Sequence, residues 1–248
     1  MSVQPETDLW LVGMDGCRAG WVAALIQPTG NDVRIRVMPR FADIAKAPEK
    51  PAVIAVDIPV GLPDHTGPGG RDAENAIRPL LGARQSSVFS VPSRAALEAT
   101  DYRDACGIAL STSDPPRKIS RQLFMIAPKI REVDASLRND VGLAKRVFEV
   151  HPEAAFWRLN GECALPEPKK IRGKAYEPGL RLRRKLLVAA GLPRDVVEAA
   201  SPPGAAADDL LDALACAAIA RRIHSGIARP HPNPPPRDSY GLPMAIWT

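Results

Sequence analysis

The sequence predicts an α/β fold built on a mixed five-stranded sheet, with three antiparallel strands first and two parallel strands after them. Three short apolar stretches follow one another near the start of the chain. Two further apolar stretches are separated by helical patterns, and a long helical pattern lies near the end. Hydrophobic residues make up 45% of the chain and aromatic residues only 5%, which favours small aliphatic side chains between helices and a sheet.

The first three predicted strands form an antiparallel meander. The segment LWLVGMD is a buried strand that ends in Asp15, and GWVAALIQP follows after a short connection that contains glycine. The third strand, DVRIRVMP, alternates apolar and polar residues, which is typical of a strand with one solvated face. These three segments therefore supply the antiparallel part of the sheet.

The fourth and fifth predicted strands each contain an acidic residue. A short helix at FADIAKA precedes PAVIAVDIPVG, whose apolar run indicates a strand buried on both faces and leads into Asp57. The segment RVFEVHPEAAFW supplies the fifth strand, with Glu149 inside it. Both strands are expected to be parallel to the first.

A largely helical insertion is predicted between the fourth and fifth strands, from about residue 62 to residue 145. It contains the helical pattern RDAENAIRPLLG and a second pattern, SRQLFMIAPKIREVDASLR, which Pro128 is expected to interrupt. Because the insertion lies between two strands of one sheet, it is expected to belong to the same domain.

The closing segments complete a recognisable order of elements. A basic helix at GLRLRRKLLVAAG precedes a strong helix at DDLLDALACAAIARRIH, and the proline-rich ARPHPNPPPRDSYG reads as an extended connector. Three antiparallel strands, two strands separated by helices and a closing helix is the ribonuclease H-like order. We therefore predict one ribonuclease H-like domain over residues 8–248.

Acidic residues are expected to meet at one edge of this sheet. The first and fourth strands would be parallel neighbours, so Asp15 and Asp57 at their carboxyl ends would be adjacent. On the last helix, Asp212 lies four residues after Asp208 and three after Asp209, so these acids share roughly one side. An acid at a helix start also caps free N–H groups, which explains Asp208 or Asp209 better than Asp212.

This group of carboxylates predicts a divalent cation, Mg²⁺ or Mn²⁺. Clustered carboxylates repel one another in a low dielectric unless they are protonated or bind metal, and oxygen ligands suit these ions. In two-metal phosphodiester hydrolysis, one ion activates water and the other stabilises the leaving oxygen. We predict catalytic and metal-binding roles for Asp15, Asp57 and Asp212, with Asp209 as a further ligand candidate. When either Asp15 or Asp57 is considered alone, a turn-forming role at the end of a strand explains the acid equally well.

The segment FEVHPE adds three candidates. Glu149 alternates with apolar neighbours and is predicted as a catalytic residue or accessory ligand. Glu153 fits a cap of the following helix, and the lone His151 fits either a proton carrier or a hydrogen-bonded structural residue. Cys17 follows the first acid and fits a small packed thiol better than a nucleophile.

Basic side chains are the candidate phosphate ligands. The segment PKKIRGKAYEPGLRLRRKLL holds eight basic residues that would attract a phosphate backbone, although a solvated helix face explains them equally well. A second group of arginines is expected to line the acidic site and bind a smaller phosphate or carboxylate. The candidates are Arg18, Arg71, Arg84, Arg94, Lys169, Lys170, Arg183 and Arg184. The predicted partner is nucleic acid or a smaller phosphate-bearing substrate.

The net charge and the cysteines indicate which partners and which cellular compartment to expect. A net charge of +5 mildly favours an anionic partner. The four cysteines occur singly, which indicates neither a zinc site nor a disulfide framework. No apolar stretch approaches membrane length, and no basic region precedes the first one. A cytoplasmic protein without a membrane partner is expected.

Five ordered motifs resemble those of the domain-of-unknown-function 429 family. They are GMDGCRAGW, AVDIPVGLP, RDAENAIRPLLGARQSSVFSVPSR, FEVHPEAAFWRLNG and DDLLDALACAAIA. The resemblance extends from about Leu11 to the closing YGLPMAIW. Members of this family are described as predicted nucleases of ribonuclease H-like fold. The resemblance thus implies that fold and a nuclease activity, with the acids on Asp15, Asp57, and Asp209 or Asp212, and Glu149 as an accessory.

Two other functions fit the same sequence. Sugar kinases and related ATPases also begin with a strand, an acid and a glycine turn, so MDGCRAG and VDIPVG would suit a nucleotide-binding phosphotransferase of related fold. Such proteins normally duplicate the fold, and 248 residues is short for two copies. A non-catalytic module, in which the acids hold a structural cation and basic residues dock nucleic acid or protein, is the third hypothesis.

Overall fold

The computed structural model of the protein describes residues 9–29 and 32–248. The strands are β1 (Leu11–Cys17), β2 (Gly20–Ile26), β3 (Val33–Met38), β4 (Val53–Val56), β5 (Val147–Glu149), β6 (Lys170–Ile171), β7 (Lys174–Ala175), β8 (Pro230–His231) and β9 (Ile246–Trp247). The helices are α1 (Asp72–Ile77), α2 (Arg94–Glu98), α3 (Tyr102–Ser111), α4 (Arg121–Asn139), α5 (Val141–Ala144), α6 (Pro152–Leu159), α7 (Glu177–Ala189), α8 (Arg194–Val197) and α9 (Ala207–His224). Two 3₁₀ helices span Phe41–Lys46 and Arg78–Ser87. The domain start predicted at residue 8 lies outside the described residues.

Five strands form the central sheet in the order β3-β2-β1-β4-β5. Strand β2 pairs antiparallel with both β1 and β3, whereas β4 pairs parallel with β1 and with β5. The predicted mixed sheet of three antiparallel and two parallel strands, flanked by helices, is confirmed. The parallel pairing places the carboxyl ends of β1, β4 and β5 at one edge.

The two faces of the sheet have separate cores because side chains of a strand alternate between faces. Val12 and Met14 of β1 point into a core with the helices of the insertion, including α2, α3 and α4. Leu11 of the same strand lies in the opposite core, which is formed mainly with α6, α7 and α9. The sheet is therefore the middle layer of three.

Gly13 allows helix α9 to lie directly against β1. A Cβ atom at this position would lie 2.1 Å from the carbonyl oxygen of Ala213 and 2.1 Å from the backbone nitrogen of Ala217. Real Cβ atoms do not approach other atoms so closely, so only glycine fits. The close approach brings the first half of α9, including Asp212, over the carboxyl end of β1.

The segment between β4 and β5 holds helices α1–α5, as the predicted helical insertion requires. Helix α4 runs through Pro128 without the predicted interruption. Pro128 lies on the exposed side of the helix, while Ala127, Ile130 and Val133 are buried. The hydrogen bond that proline removes is thus lost on the solvent side, and apolar packing holds both halves in line.

The proline-rich stretch after α9 contains no helix, and its only strand, β8, pairs antiparallel with β9. Within residues 9–29 and 32–248, no helix combines the length and the apolar character that a bilayer crossing demands.

Candidate metal centre

The parallel pairing of β1 and β4 brings Asp15 and Asp57 together. Met14 is in register with Val56, the last residue of β4, and the N–H of Asp57 donates to the carbonyl of Met14 at 2.9 Å. The residue that follows Met14 and the residue that follows Val56 are therefore both aspartates at the same edge of the sheet. The predicted adjacency of the two acids is therefore present, although β1 continues to Cys17 and does not end at Asp15 as predicted.

Asp212 reaches the same edge from helix α9. Asp15, Asp57 and Asp212 each offer a carboxylate oxygen, and the three oxygens lie within 4.8 Å of one another. Asp15 and Asp212 are buried, with 8% and 1% of their surfaces exposed. The structure thus unites three of the four predicted ligands in one cluster, which we call the aspartate cluster.

Burial and mutual repulsion make the aspartate cluster electrostatically unfavourable on its own. Burial, followed by the charges of Asp57 and Asp212, raises the pKa of Asp15 well above its usual range. Burial raises the pKa of Asp57 to about 7 and that of Asp212 to about 6, although the ammonium of Lys169 opposes both shifts. Protonation or a bound cation is therefore favoured over three free carboxylates in this cluster.

Two carboxylate oxygens at this edge have no hydrogen-bond partner within the described residues. They are Oδ1 of Asp212 and Oε2 of the buried Glu153. A buried carboxylate oxygen without a donor is costly, and the charge of Glu153 also helps to raise the pKa of Asp57 and of Asp212. The donor set, three carboxylates with an unpartnered oxygen among them, fits a hard divalent cation.

A cavity of about 260 Å³ adjoins the aspartate cluster. Asp15 and Asp57 form one side of its wall, and Lys129 and His151 contribute further polar groups. Apolar side chains, among them that of Phe89, line much of the remainder. Both charged and apolar side chains thus line the cavity, as in small-molecule sites.

His151 lines this cavity, and one of its ring nitrogens has no hydrogen-bond partner among the described residues. Its Nε2 lies 3.3 Å from the carbonyl oxygen of Ser87, so Nε2 carries the proton and donates. Its Nδ1 has no partner among the described residues. Burial lowers the pKa of His151, which favours the neutral ring, and Nδ1 of a neutral ring can accept a proton.

Glu149 is held by an arginine and does not join the aspartate cluster. Its carboxylate accepts from the N–H of Val60 at 2.8 Å and from Nη1 and Nη2 of Arg71 at 3.0 and 2.7 Å. Arg71 also donates to Glu74 and to the carbonyls of Val60 and Gly61. Every N–H of this guanidinium is thus engaged inside the protein, which leaves none for the phosphate that the sequence suggested.

Two more of the predicted phosphate-binding arginines are buried in ion pairs. Arg94 donates to Asp134 at 3.1 Å and to Asp238 at 2.5 Å. Arg183, whose surface is 0% exposed, donates to Glu153 at 2.5 Å. Because each guanidinium already neutralises a buried carboxylate, neither is free to bind substrate.

Three other candidates do not converge on the aspartate cluster. Arg18 is exposed in the turn between β1 and β2, and Arg84 lies half-buried on the 3₁₀ helix Arg78–Ser87. Arg184 pairs with Glu177 at 2.9 Å. These side chains belong to different surfaces, and none lines the cavity beside the cluster.

The two lysines before and within strand β6 do reach the acids. The ammonium of Lys169 contacts Oδ2 of Asp212 and lies 3.7 Å from Asp208. The ammonium of Lys170 lies 2.6 Å from Asp208. Of the eight basic candidates, Lys169 is therefore the one that contacts a member of the aspartate cluster directly.

Asp209 has the capping role that the sequence offered as its alternative. Its carboxylate accepts a hydrogen bond from the N–H of Ala206 at 2.8 Å, at the start of α9. It is not one of the three residues whose oxygens lie within 4.8 Å of one another. The carboxylate at the helix start thus stabilises the first turn.

Lys129 is a polar group of the cavity that sequence reasoning missed. Its ammonium donates to the carbonyl of Gly20 at 2.5 Å and lies 4.6 Å from the ring centre of Trp21. The spacing of Lys129 could have identified it, because it lies three residues after Ile126 and four before Val133, on the apolar side of helix α4. A lysine on such a stripe is costly unless it meets a partner.

Comparison with known proteins adds one finding. No curated protein and no solved structure matches the chain. A family model matches residues 13–237, which is most of the chain. The protein therefore belongs to the family described as protein of unknown function (DUF429).

Proposed function

We propose that the protein is a divalent-metal-dependent hydrolase of phosphoester bonds, with Asp15, Asp57 and Asp212 as the ligands of Mg²⁺ or Mn²⁺. The main support is the meeting of these three carboxylates within 4.8 Å at the carboxyl ends of two adjacent parallel strands. Ligands of open α/β sheets gather at such an edge. A bound divalent ion there supplies Lewis-acid stabilisation of phosphoryl oxygens and lowers the pKa of coordinated water.

The residues around the aspartate cluster have complementary roles in this proposal. The cavity of about 260 Å³ holds the group attached to the phosphate. The ammonium groups of Lys169 and Lys129 offset part of the negative charge of a substrate that enters beside them. Nδ1 of His151 accepts the proton that the attacking water releases. Arg71 and Glu149 hold the floor of the cavity in shape through their paired hydrogen bonds.

The fold supports the same reaction class by analogy. The strand order β3-β2-β1-β4-β5, with acids on β1 and after β4, supports the ribonuclease H-like order that we inferred from the sequence. We infer a nuclease or phosphodiesterase from this likeness, as the family resemblance implied. A fold hosts several chemistries, so the carboxylates and the cavity, more than the fold, support the proposal.

The size of the cavity favours a small phosphoester or a single terminal nucleotide over an intact duplex. Pockets for drug-sized ligands span about 300–1,000 Å³, and this one has about 260 Å³. A nucleic acid would enter with one nucleotide at a time. A cytoplasmic location suits such substrates and the four free cysteines at positions 17, 106, 163 and 216.

The test is a cleavage assay on a panel of phosphoesters. Bis-p-nitrophenyl phosphate, nucleotides, single-stranded DNA and RNA are incubated with the protein in Mn²⁺ or in EDTA. We expect Mn²⁺-dependent cleavage that falls at least about 100-fold in Asp15→Asn, Asp57→Asn and Asp212→Asn, because each removes a ligand charge. Asp209→Asn is the matched control, since the amide oxygen of asparagine can still accept the hydrogen bond from the N–H of Ala206, and it should retain activity within about threefold.

Other results would redirect the proposal. Cleavage that persists in EDTA, or full activity in a folded Asp57→Asn variant, would contradict it. ATP binding with Mg²⁺ and without hydrolysis of the panel would favour the phosphotransferase alternative. Nucleic-acid binding in a gel shift without turnover would favour the non-catalytic module.

A further inference from the structure

The backbone holds Lys169 in a fixed position beside the aspartate cluster. Its carbonyl accepts from the N–H of Tyr176 at 2.9 Å, and the carbonyl of Glu167 accepts from Nη1 of the buried Arg183 at 3.1 Å. Between them, the carbonyl of Pro168 lies so near Gly179 that an added Cβ would be 1.8 Å from it. The segment before β6 is thus fixed against the start of α7, and its lysine is built into the site.

The two carboxylate oxygens of Asp212 have different surroundings. Oδ2 accepts from the ammonium of Lys169, whereas Oδ1 is buried and has no partner within the described residues. Oε2 of Glu153 is a second buried, unpartnered oxygen whose charge acts on Asp212. One carboxylate can therefore serve the lysine and a cation at the same time.

The charges around the cluster leave room for one divalent ion. The three aspartates carry three negative charges when ionised, and Lys169 neutralises one of them. The neighbouring acids have partners of their own, since Glu153 pairs with Arg183, Asp208 pairs with Lys170 and Asp209 caps the start of α9. One divalent cation balances the remaining two charges. A second would leave an excess of two positive charges in a buried site, which is unfavourable in a low dielectric.

We propose that the aspartate cluster binds a single divalent cation, and that the Lys169 ammonium provides the second centre of positive charge that a two-metal site obtains from another ion. This inference rests on the proposed function for the presence of the ion itself. Lys169 is a charge-compensating residue that sets how many cations the site accepts. A phosphoryl group bound at the cluster would then face one metal ion and one ammonium.

The number of bound ions tests this inference without any need for activity. The full chain is stripped with EDTA, dialysed and titrated with Mn²⁺, while electron paramagnetic resonance measures the free ion. We expect one Mn²⁺ per chain. In Lys169→Met, which keeps the length of the side chain without its charge, Mn²⁺ should bind about tenfold more tightly or better, and more than one ion should bind, because a nearby like charge is gone.

Two variants serve as controls in the same titration. Lys169→Arg keeps the charge and should keep one ion per chain. Lys170→Met removes the adjacent lysine, which pairs with Asp208 at 2.6 Å, and should leave both the number and the affinity of bound ions near those of the wild type. Circular dichroism establishes that each variant is folded.

The contradicting results are distinguishable from a failure of the proposed function. Two Mn²⁺ ions on the wild-type chain, or unchanged or weaker Mn²⁺ binding in folded Lys169→Met, would overturn the single-ion inference alone. Absence of Mn²⁺ binding to the wild-type chain would overturn both this inference and the metal-dependent function.

Discussion

Replacing Asp212 with asparagine should stabilise the metal-free protein at neutral and alkaline pH while it abolishes metal binding. Burial raises the pKa of Asp212 to about 6, from 3.8 for an ordinary aspartate. A raised carboxyl pKa means that the folded state holds its proton more tightly than the unfolded chain does. The contribution of Asp212 to the free energy of unfolding is therefore greatest below pH 4 and is lost as the pH rises through about 6.

The size of the effect follows from the two pKa values. Their difference of about 2 pH units corresponds to about 3 kcal/mol, because each unit is about 1.36 kcal/mol. Asparagine resembles the protonated acid, so Asp212→Asn removes this cost. Some of it is shared with the coupled Asp15 and Asp57, which makes about 3 kcal/mol an upper bound on the gain at pH 8.

The assay is urea unfolding at pH 4, 6 and 8 in EDTA. The free energy of unfolding of Asp212→Asn should exceed that of the wild type by about 1–3 kcal/mol at pH 8 and match it near pH 4. In Mg²⁺ the difference in unfolding free energy between Asp212→Asn and the wild type should shrink or change sign, because an ion that binds only the folded wild type stabilises it. The matched control is Glu198→Gln, an exposed acid that lies 3.9 Å from Arg194 and should change stability by less than about 1 kcal/mol.

One outcome would refute this reasoning. If Asp212→Asn in EDTA is less stable than the wild type at pH 8, the aspartate cluster is not a site of unbalanced negative charge. The contact with Lys169 would then already satisfy Asp212, and no cation would be needed to complete the site.

Two further predictions concern residues that support the cluster. Gly13→Ala should destabilise the protein by about 1–3 kcal/mol or more, because its Cβ would lie 2.1 Å from backbone atoms of α9; urea unfolding measures the loss. The control is Gly107→Ala, where nothing lies within 4 Å of the added Cβ, and this variant should be neutral or stabilising. Equal effects of the two substitutions would contradict the close β1–α9 contact. Arg71→Met should cost about 3–5 kcal/mol, because it leaves Glu74 and Glu149 buried without their shared cation; a loss below about 1 kcal/mol in the same measurement would show that Arg71 is free for another role.

The sequence allowed the sheet and the acids on it to be predicted because both depend on local pattern. Strand periodicity identified β1 and β4, and their parallel pairing then required Asp15 and Asp57 to be adjacent. The sequence kept both Asp209 and Asp212 as ligand candidates, and the structure places Asp212 in the aspartate cluster and Asp209 at the start of α9. The predicted topology was needed to bring Asp15 and Asp57 together, and helix position alone did not single out Asp212.

The roles of the basic residues could not be predicted, since they depend on partners far away in the chain. Arg71 meets Glu149, 78 residues later, and Arg94 meets Asp238, 144 residues later. No local pattern distinguishes an arginine that binds phosphate from one that neutralises a buried carboxylate. Lys169 presented the same difficulty, because its contact with Asp212 spans 43 residues.

The most direct test of the proposed metal centre is a crystal structure of the protein soaked in Mn²⁺, with anomalous diffraction data that locate the ion. We expect one anomalous peak among the carboxylates of Asp15, Asp57 and Asp212, with Lys169 still in contact with Asp212. Absence of a peak at a Mn²⁺ concentration of about 10 mM, which would occupy even a millimolar site, would contradict the central claim that this cluster binds a divalent cation.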